Sequence, residues 1–555
     1  MTFVITSGCC SDAACVAVCP VQCIRPRPGD PDFAGAEQLY IDPRSCIDCS
    51  ACEPVCPVGA IVPDYDLDPD DVHLTVNAEF FTGAPTPEEP APAAVRHTVA
   101  AGPLRVAVVG AGPAALYAVA ELSAVPGVEV TLVERLPTPH GLVRYGIAPD
   151  HAGTKRVADQ FRTTLTRPNV TCLFNVEVGR DLSLAELSAA HHAVIWAAGA
   201  PAANALGLPG EDLPGVHPAG DFVAWYNGHP DHARAEFDLS GRRAVVIGNG
   251  NVALDVARVL ARPAADLART DIADHALAAL AGSAVAEVLI AARKSPHQAA
   301  CSLGELEALS RTPGLALRCE DLDLSVSADV AAALHPAGPS PLQQRKLALF
   351  TEAAEAGHTA DRTITFGFGL EPRRFEGTDR VRGVVFERTV TELVDGTPRT
   401  RGTGDHVTVA ADLVLTATGY RSAEIPGLPF DKRRGRIAND GGRVTEESRV
   451  RPGTYCTGWA RRGASGVVGT NRADAAEVVA AVLADFAAGL LHAAEPAGGS
   501  PETLQELLRT RGIPVLDARA WARLDEHEVA RGRTEGRPRV KVTAVEDMLR
   551  LAAPR

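Results

Sequence analysis

Apolar runs of strand length recur along most of the chain, separated by stretches with helical spacing. LRVAVVG at 104–110, VEVTLVE at 128–134, HAVIWAAG at 192–199, RRAVVIG at 242–248, AEVLIAAR at 286–293 and ADLVLTATG at 411–419 are near-continuous rather than alternating in hydrophobicity. Strands buried on both faces read this way, and the Ala-rich stretches between them suit crossover helices, so the pattern predicts parallel α/β sheets. Two regions fall outside it. Thr82 to Pro103 reads TGAPTPEEPAPAAVRHTVAAGP, without either periodicity, and predicts a linker. From about Ala487 the chain is polar and Arg-rich, with short helical patterns that carry no chemistry of their own.

Composition changes the picture mainly at the N-terminus. With 555 residues the chain needs several modules, and its 46% apolar and 22% charged residues are ordinary for globular domains. No apolar run approaches the ~18 residues of a membrane span, and MTFVITSGCC lacks the layout of a secretory signal, so a soluble, cytoplasmic, monomeric protein without membrane contact is expected. The net charge is −15, and residues 1–72 hold twelve Asp or Glu against Arg25, Arg27 and Arg44. That balance argues against nucleic acid and suits an acidic module docked on a less acidic one. Nine of the thirteen cysteines lie between Cys9 and Cys56, and this concentration needs a local explanation.

Cys46, Cys49, Cys52 and Cys56, followed by Pro57, have the spacing C-x2-C-x2-C-x3-C-P. Three thiolates at that spacing wrap one iron-sulfur cluster while the fourth reaches a second. Zinc sites pair two knuckles across a longer loop, and disulfides are out of place in a cytoplasmic chain. Upstream, Cys9, Asp12, Cys15, Cys19 and Pro20 repeat the rhythm with aspartate at the second ligand position. Crossing the fourth cysteines gives one set of Cys46, Cys49, Cys52 and Cys19 for a [4Fe-4S] cluster, and another of Cys9, Cys15 and Cys56. The last corner of the second set falls to Asp12, to water or to no iron, so that cluster is [3Fe-4S] or [4Fe-4S], because a carboxylate holds iron less well than a thiolate. Cys10 is an alternative to Cys9, and Cys23 reads as a packed neighbour. Cys172, Cys301, Cys319 and Cys456 stand singly and read as buried small hydrophobes.

Gly110-Ala-Gly112-Pro-Ala-Ala115 follows a strand and opens a helix. Gly110 permits the turn, Gly112 lets backbone approach a pyrophosphate, and Glu134 at the end of the next strand is placed for a ribose hydroxyl. Gly248-Asn249-Gly250-Asn251-Val252-Ala253 repeats the arrangement, but its next strand ends in Arg293 and Lys294. Positive charge there fits a 2′-phosphate and points to NADPH over NADH, although an exposed loop pair reads the same way. The gap of 45 residues between Gly248 and Arg293 predicts a helical insertion across Pro263–Gly282.

HGLVRYGIAPDH at 140–151, NVEVGRD at 175–181, IGNGNVALDVARVL at 247–260 and GWARRGASGVVGTN at 458–471 resemble the adrenodoxin reductase type of ferredoxin-NADP reductase. With the cysteine-rich start, the whole chain is similar to actinobacterial fusions of a two-cluster ferredoxin to such a reductase. The resemblance implies a ferredoxin-like α+β module over 1–78, a linker over 79–103, an FAD-binding Rossmann-like domain of 104–200 and 409–555, and an NADP-binding one over 201–408. It implies FAD contacts at Ala114, Leu142, Val178, Trp459, Gly466, Val467 and Val468, beside Gly110, Gly112 and Glu134. For NADP it implies Asn249 to Val252, Arg293, Lys294, Glu305 and Gly466.

His151 matches a family histidine given a part in hydride transfer, or is a hydrogen-bonded structural imidazole. Glu305 contacts NADP or caps the helix beginning at Ser302. The chain departs from the family at Lys294-Ser295, at Ala464 and at His140, which replaces a phenylalanine. The implied reaction is NADPH to FAD, then single electrons to the clusters and to an external acceptor such as a soluble ferredoxin or a cytochrome P450-type enzyme. Basic residues Arg433, Arg434, Arg461 and Arg462 are the expected docking points for the acidic module. A glutamate synthase small-subunit-like flavoprotein and a non-catalytic redox carrier or sensor are the rival readings.

Overall fold

The computed structural model describes residues 2–82, 99, 103–320, 326–335, 338–356, 360–491 and 501–554. The predicted linker lies mostly outside these residues.

The near-continuous apolar runs form two parallel sheets. In the first, Leu104–Val109 pairs in parallel with Val128–Glu134 on one side and with Ala193–Trp196 on the other. Val170–Phe174 extends one edge, and Arg449–Cys456 extends the other before an antiparallel hairpin. In the second sheet six parallel strands stand in the order 216–218, 413–416, 243–247, 287–292, 362–368, 315–320. Helices Pro113–Ser123 and Asn251–Ala261 follow the first strand of each glycine turn and bury their apolar faces against their own sheet. The span Pro263–Gly282 carries helices Ala264–Leu267 and Asp274–Ala281, which return the chain to the strand ending at Ala292.

One boundary moves. Leu413–Thr416 pairs in register with Ala244–Ile247 and therefore belongs to the second sheet, not to the domain of 104–200 as the 409 boundary implied. The chain crosses back beyond it, where Tyr420–Arg421 pairs antiparallel with Ala202–Ala203, the outgoing crossover segment.

A three-stranded antiparallel sheet, 370–377, 381–394 and 397–410, was not expected. Its long hairpin turns at Asp395-Gly396, both with positive φ, the combination that two-residue hairpins favour.

The N-terminal module is small. Phe3–Ile5 pairs antiparallel with Ile61–Pro63, Ile24–Arg25 with Tyr40–Ile41, and helix Val72–Phe80 follows. Its core joins Phe3, Ile5, Ile24, Leu39, Ile41 and Ile61 to seven buried or half-buried cysteines. The C-terminal helices Ala518–Glu535 and Val545–Ala552 place Trp521, Leu524, Met548 and Ala552 in the core of the first sheet. Among the described residues no helix is long and apolar enough to cross a membrane.

Candidate functional site

Two cavities occupy the N-terminal module, and each is lined by one of the crossed cysteine sets. Cys19, Cys46, Cys49 and Cys52 line a small cavity together with Val21, Ile24, Ile41 and Ile47. Cys9, Cys15 and Cys56 line a second, with Cys10 and Asp12 on its wall.

Backbone N–H groups already point at the sulfurs. Ser11 donates to Cys9 Sγ at 3.4 Å, Cys23 to Cys19 Sγ at 3.4 Å and Ala60 to Cys56 Sγ at 3.2 Å. Burial pushes the thiols of Cys9, Cys10 and Cys15 above their ordinary value, so these sulfurs need a cationic ligand to exist as thiolates. Apolar walls, converging sulfurs and N–H donors fit iron-sulfur clusters. Cys23 lies 3.5 Å from Cys19, sulfur to sulfur, and lines the same cavity. Cys172, Cys301, Cys319 and Cys456 are buried and free.

At the first glycine turn, Gly110 has φ +101° and a Cβ there would stand 2.6 Å from the Ala197 carbonyl oxygen, so only glycine fits. Gly112 has open space where its Cβ would be, which leaves backbone free to meet a phosphate. Gly141 packs on the Gly112 Cα and Gly458 packs on Ala114, which brings Leu142 and Trp459 to the start of the same helix. Glu134 accepts N–H bonds from Ala111 at 2.7 Å and Leu136 at 2.9 Å, placing its carboxylate beside the turn. Leu142 is 48% exposed, a large apolar side chain left bare. Trp459 stacks on Tyr420 and donates to Ser465 O, next to Gly466, Val467 and Val468. Val178 lies at a short bridge with Leu182. An elongated dinucleotide fits this layout: an open glycine turn, a strand-end acid beside it and a bare apolar residue.

The second turn repeats the first. Gly248 has φ +121° and its Cβ would overlap Ala417 O, Gly250 faces open space, and Asn249 Nδ2 is buried without a partner. Asn251 Oδ1 accepts the Ser302 N–H at 2.8 Å, and Val252 follows in the first turn of the helix. Arg293 and Lys294 are exposed just past Ala292, on the strand adjacent to the glycine-turn strand. The nearest carboxylate to Arg293 is Glu371 at 3.8 Å, so the guanidinium keeps capacity for a phosphate.

Between the two turns lies a network that the motifs did not announce. Arg258, 2% exposed, donates to Asp150 at 2.8 Å and Asp255 at 2.6 Å, and its Nη2 lies 2.5 Å from His151 Nε2. His151 Nδ1 is 3.4 Å from Glu305, and Arg258 reaches the same carboxylate at 3.5 Å. Burial pushes His151 below its ordinary pKa, which leaves it neutral and able to accept from Arg258. Burial and the nearby Asp255 raise Glu305 to about 8 against the pull of Arg258. The capping reading of Glu305 is half realised: Ser302 Oγ accepts its N–H, but its carboxylate turns to His151 and Arg258. His151, Asp255 and Glu305 converge closely enough for a metal, but the guanidinium among them occupies the place of a cation.

Among the described residues the expected docking arginines Arg434, Arg461 and Arg462 make their ion pairs outside the N-terminal module. Arg461 and Arg462 pair with Asp474, and Arg434 with Asp431, all within their own region. The module instead meets Arg472, Leu303 and Lys346. His140 donates its N–H to the Ala111 carbonyl at 2.8 Å, beside the first glycine turn, packs edge-on against Trp521, and has its pKa lowered to about 3 by burial. Arg258 and Asp255 were visible as a charged i,i+3 pair on an otherwise apolar helix, the signal that could have flagged the network.

Two protein families match the chain. The 4Fe-4S dicluster domain covers residues 7–60, and the pyridine nucleotide-disulphide oxidoreductase family covers 104–295. A probable ferredoxin/ferredoxin-NADP reductase of Mycobacterium leprae is 44% identical over all of this chain and 98% of its own length. The mitochondrial NADPH:adrenodoxin oxidoreductase of Arabidopsis thaliana is 38% identical over 81% of this chain and 96% of its own. The solved structure of Mycobacterium tuberculosis FprA in complex with NADPH superposes with TM-score 0.75 at 37% identity, over 81% of this chain and 99% of that one.

Proposed function

The chain belongs to the family of ferredoxin-NADP reductases that carry their own ferredoxin, and from that premise we propose how its residues divide the work. It is an oxidoreductase of the ferredoxin-NADP reductase type. FAD is assigned to the Gly110 turn with Glu134, Leu142 and Trp459. NADP(H) is assigned to the Gly248 turn, with Arg293 and Lys294 receiving the 2′-phosphate. Bound there, the flavin supplies the exchange between a hydride donor and one-electron carriers.

The protein's part is placement. Asp150 and His151, from the flavin half, grip Arg258 from the other half and hold the two glycine turns in one register. His151 is a positioning residue in this reading: it is neutral, and its Nε2 is taken up by Arg258, so it holds no proton for transfer at that atom. Glu305, its carboxyl pushed up to about 8 by burial, completes this network through His151 and Arg258.

Cys19, Cys46, Cys49 and Cys52 hold a [4Fe-4S] cluster, and Cys9, Cys15 and Cys56 a [3Fe-4S] cluster. The three-iron reading is supported by Asp12, whose Oδ1 accepts the Ala14 N–H and whose Oδ2 faces Arg472. The external acceptor is a one-electron protein such as a soluble ferredoxin or a cytochrome P450-type enzyme.

The observation that carries the reading is the seating of the Cys9/Cys15/Cys56 cavity on the helix that follows Gly466–Val468, where Gly469 N–H donates to Cys10 O at 2.8 Å. Protein purified without oxygen is expected to hold one FAD and about seven irons, to show the low-temperature EPR signal of an oxidised three-iron cluster, and to oxidise NADPH with an artificial acceptor. A zero rate of NADPH oxidation in protein with full FAD overturns the enzymatic reading.

A further inference from the structure

The two cluster cavities sit in opposite surroundings. Around the Cys9/Cys15/Cys56 cavity, Cys10 is 4%, Ser11 0% and Asp12 6% exposed, because the reductase covers them. Cys10 shares an apolar cluster with Val143, Val157 and Val468, the flank of the proposed flavin site. Gly469, the residue before helix Thr470–Ala487, lies so close that a Cβ would overlap the Asp12 backbone. One turn on, Arg472 faces Asp12 Oδ2 at 3.5 Å. That oxygen is buried and has no hydrogen bond, so the guanidinium is what compensates its charge.

A second anchor fixes the module's rotation. Glu37 accepts the Leu303 N–H at 3.0 Å and the Lys346 ammonium at 2.6 Å, both from the NADP-side half.

The other cavity looks outward. Cys49 is exposed, and the rim bears Ile47 at 58% and Val21 at 40% exposure, with Val18 at 38% nearby. Asp48 and Glu53 are exposed beside them, in a module with nine more acids than bases over residues 1–72 (twelve against three). Apolar side chains bordered by carboxylates suit a partner with an apolar centre and a basic rim.

We propose that the two cavities have fixed roles. The Cys9/Cys15/Cys56 cavity is the inlet, held against the flavin side by Asp12–Arg472 and Gly469–Cys10. The Cys19/Cys46/Cys49/Cys52 cavity is the outlet, where Val18, Val21 and Ile47 receive a one-electron redox protein with a basic face. Each crossing moves a single electron: the donor loses one, the acceptor gains one, and no covalent bond changes. The proposal rests on the functional reading above and adds an order to it.

The test uses the full-length holoprotein, NADPH as donor, and cytochrome c as a basic one-electron acceptor. In stopped flow, Arg472→Glu sets two like charges together and is expected to slow cluster reduction at least about tenfold, with flavin reduction and iron content unchanged. Gly469→Val should do the same by steric displacement, and Arg472→Lys should keep the wild-type rate. Amide hydrogen exchange over residues 9–13 should rise in Arg472→Glu and Gly469→Val alone. Glu53→Lys, a charge reversal on the exposed rim outside the cavity lining, should leave internal cluster reduction intact and slow cytochrome c reduction several-fold.

Unchanged cluster reduction in Arg472→Glu and Gly469→Val, despite faster exchange at 9–13, overturns the inlet. Wild-type cytochrome c reduction in Glu53→Lys overturns the outlet. If wild-type clusters are never reduced by NADPH while the flavin is, the functional reading itself falls and the proposal with it.

Discussion

Glu528 ties the C-terminal helices to the segment that leads into the proposed flavin site, and removing its carboxylate should release the flavin early. The Arg144–Glu528 pair is bidentate, at 2.9 and 2.6 Å, with side chains 4% and 0% exposed. Burial opposes the charge on Arg144, but Glu528 outweighs it and holds the guanidinium firmly protonated. Glu528 also accepts from Arg539 at 3.2 Å and from the Val542 N–H at 2.9 Å.

Glu528→Ala leaves a buried guanidinium without its partner, a loss of about 3–5 kcal/mol. For a unit of roughly 150–250 residues that corresponds to a fall of roughly 6–20 °C in midpoint. Cofactor release makes unfolding more than two-state, so the readout is the temperature at which flavin fluorescence appears. Because the loss comes from an orphaned charge rather than from the absence of an ion pair, the double variant Arg144→Met/Glu528→Leu should recover most of it. Flavin release in Glu528→Ala within about 2 °C of wild type would refute the reasoning, as would a double variant no better than the single.

Asp271 lies between Lys155 at 2.6 Å and Lys541 at 3.1 Å; burial opposes its charge, but the two ammonium groups bring its pKa down to about 2. Its folded value lies below the ordinary 3.8, so about 2 kcal/mol of stability is complete above about pH 4 and lost as the pH falls through 2. Thermal scans should show Asp271→Asn flattening that acid limb. Glu305 has the opposite sign: raised to about 8, it favours the folded state while protonated and costs stability as the pH rises from its ordinary 4.5 through 8. Glu305→Gln should therefore be more stable than wild type at pH 9 and no more stable at pH 4. Arg293→Ala should raise the KM for NADPH by about tenfold or more and leave that for NADH nearly unchanged, and Lys294→Arg should sharpen the preference.

Much of this was legible because the chemistry is local in sequence. The crossed cysteine sets were read from spacing, since the fourth sulfur of C-x2-C-x2-C-x3-C reaches a second cluster, and the two cavities group those seven cysteines alike while adding Cys23 to one and Cys10 to the other. The glycine turns were equally readable, because strand, turn and helix are contiguous.

What escaped was long-range. Glu528 meets Arg144 across 384 positions, and Lys346 meets Glu37 across 309, and neither partner carries a local mark. The docking arginines were misjudged for a related reason: Arg461 and Arg462 look like free charge in sequence, but Asp474 on the next helix neutralises them. Arg472, twelve residues past Ala460, sits in the same motif region and faces outward toward the module. The boundary at 409 failed because Leu413–Thr416 is equally apolar whichever sheet it joins, and only register assigns it.

The central claim is that electrons from NADPH leave this protein through its own clusters. The most direct measurement compares wild type with Cys52→Ala, which removes a ligand of the outward cluster, in two assays run side by side. One is NADPH-driven cytochrome c reduction, and the other uses ferricyanide, a small oxidant that takes electrons from flavin directly. The account predicts cytochrome c reduction falling at least about tenfold while ferricyanide reduction holds, since the flavin site shares no residue with that cluster. Equal cytochrome c rates in the two proteins, with iron loss verified in the variant, would contradict it.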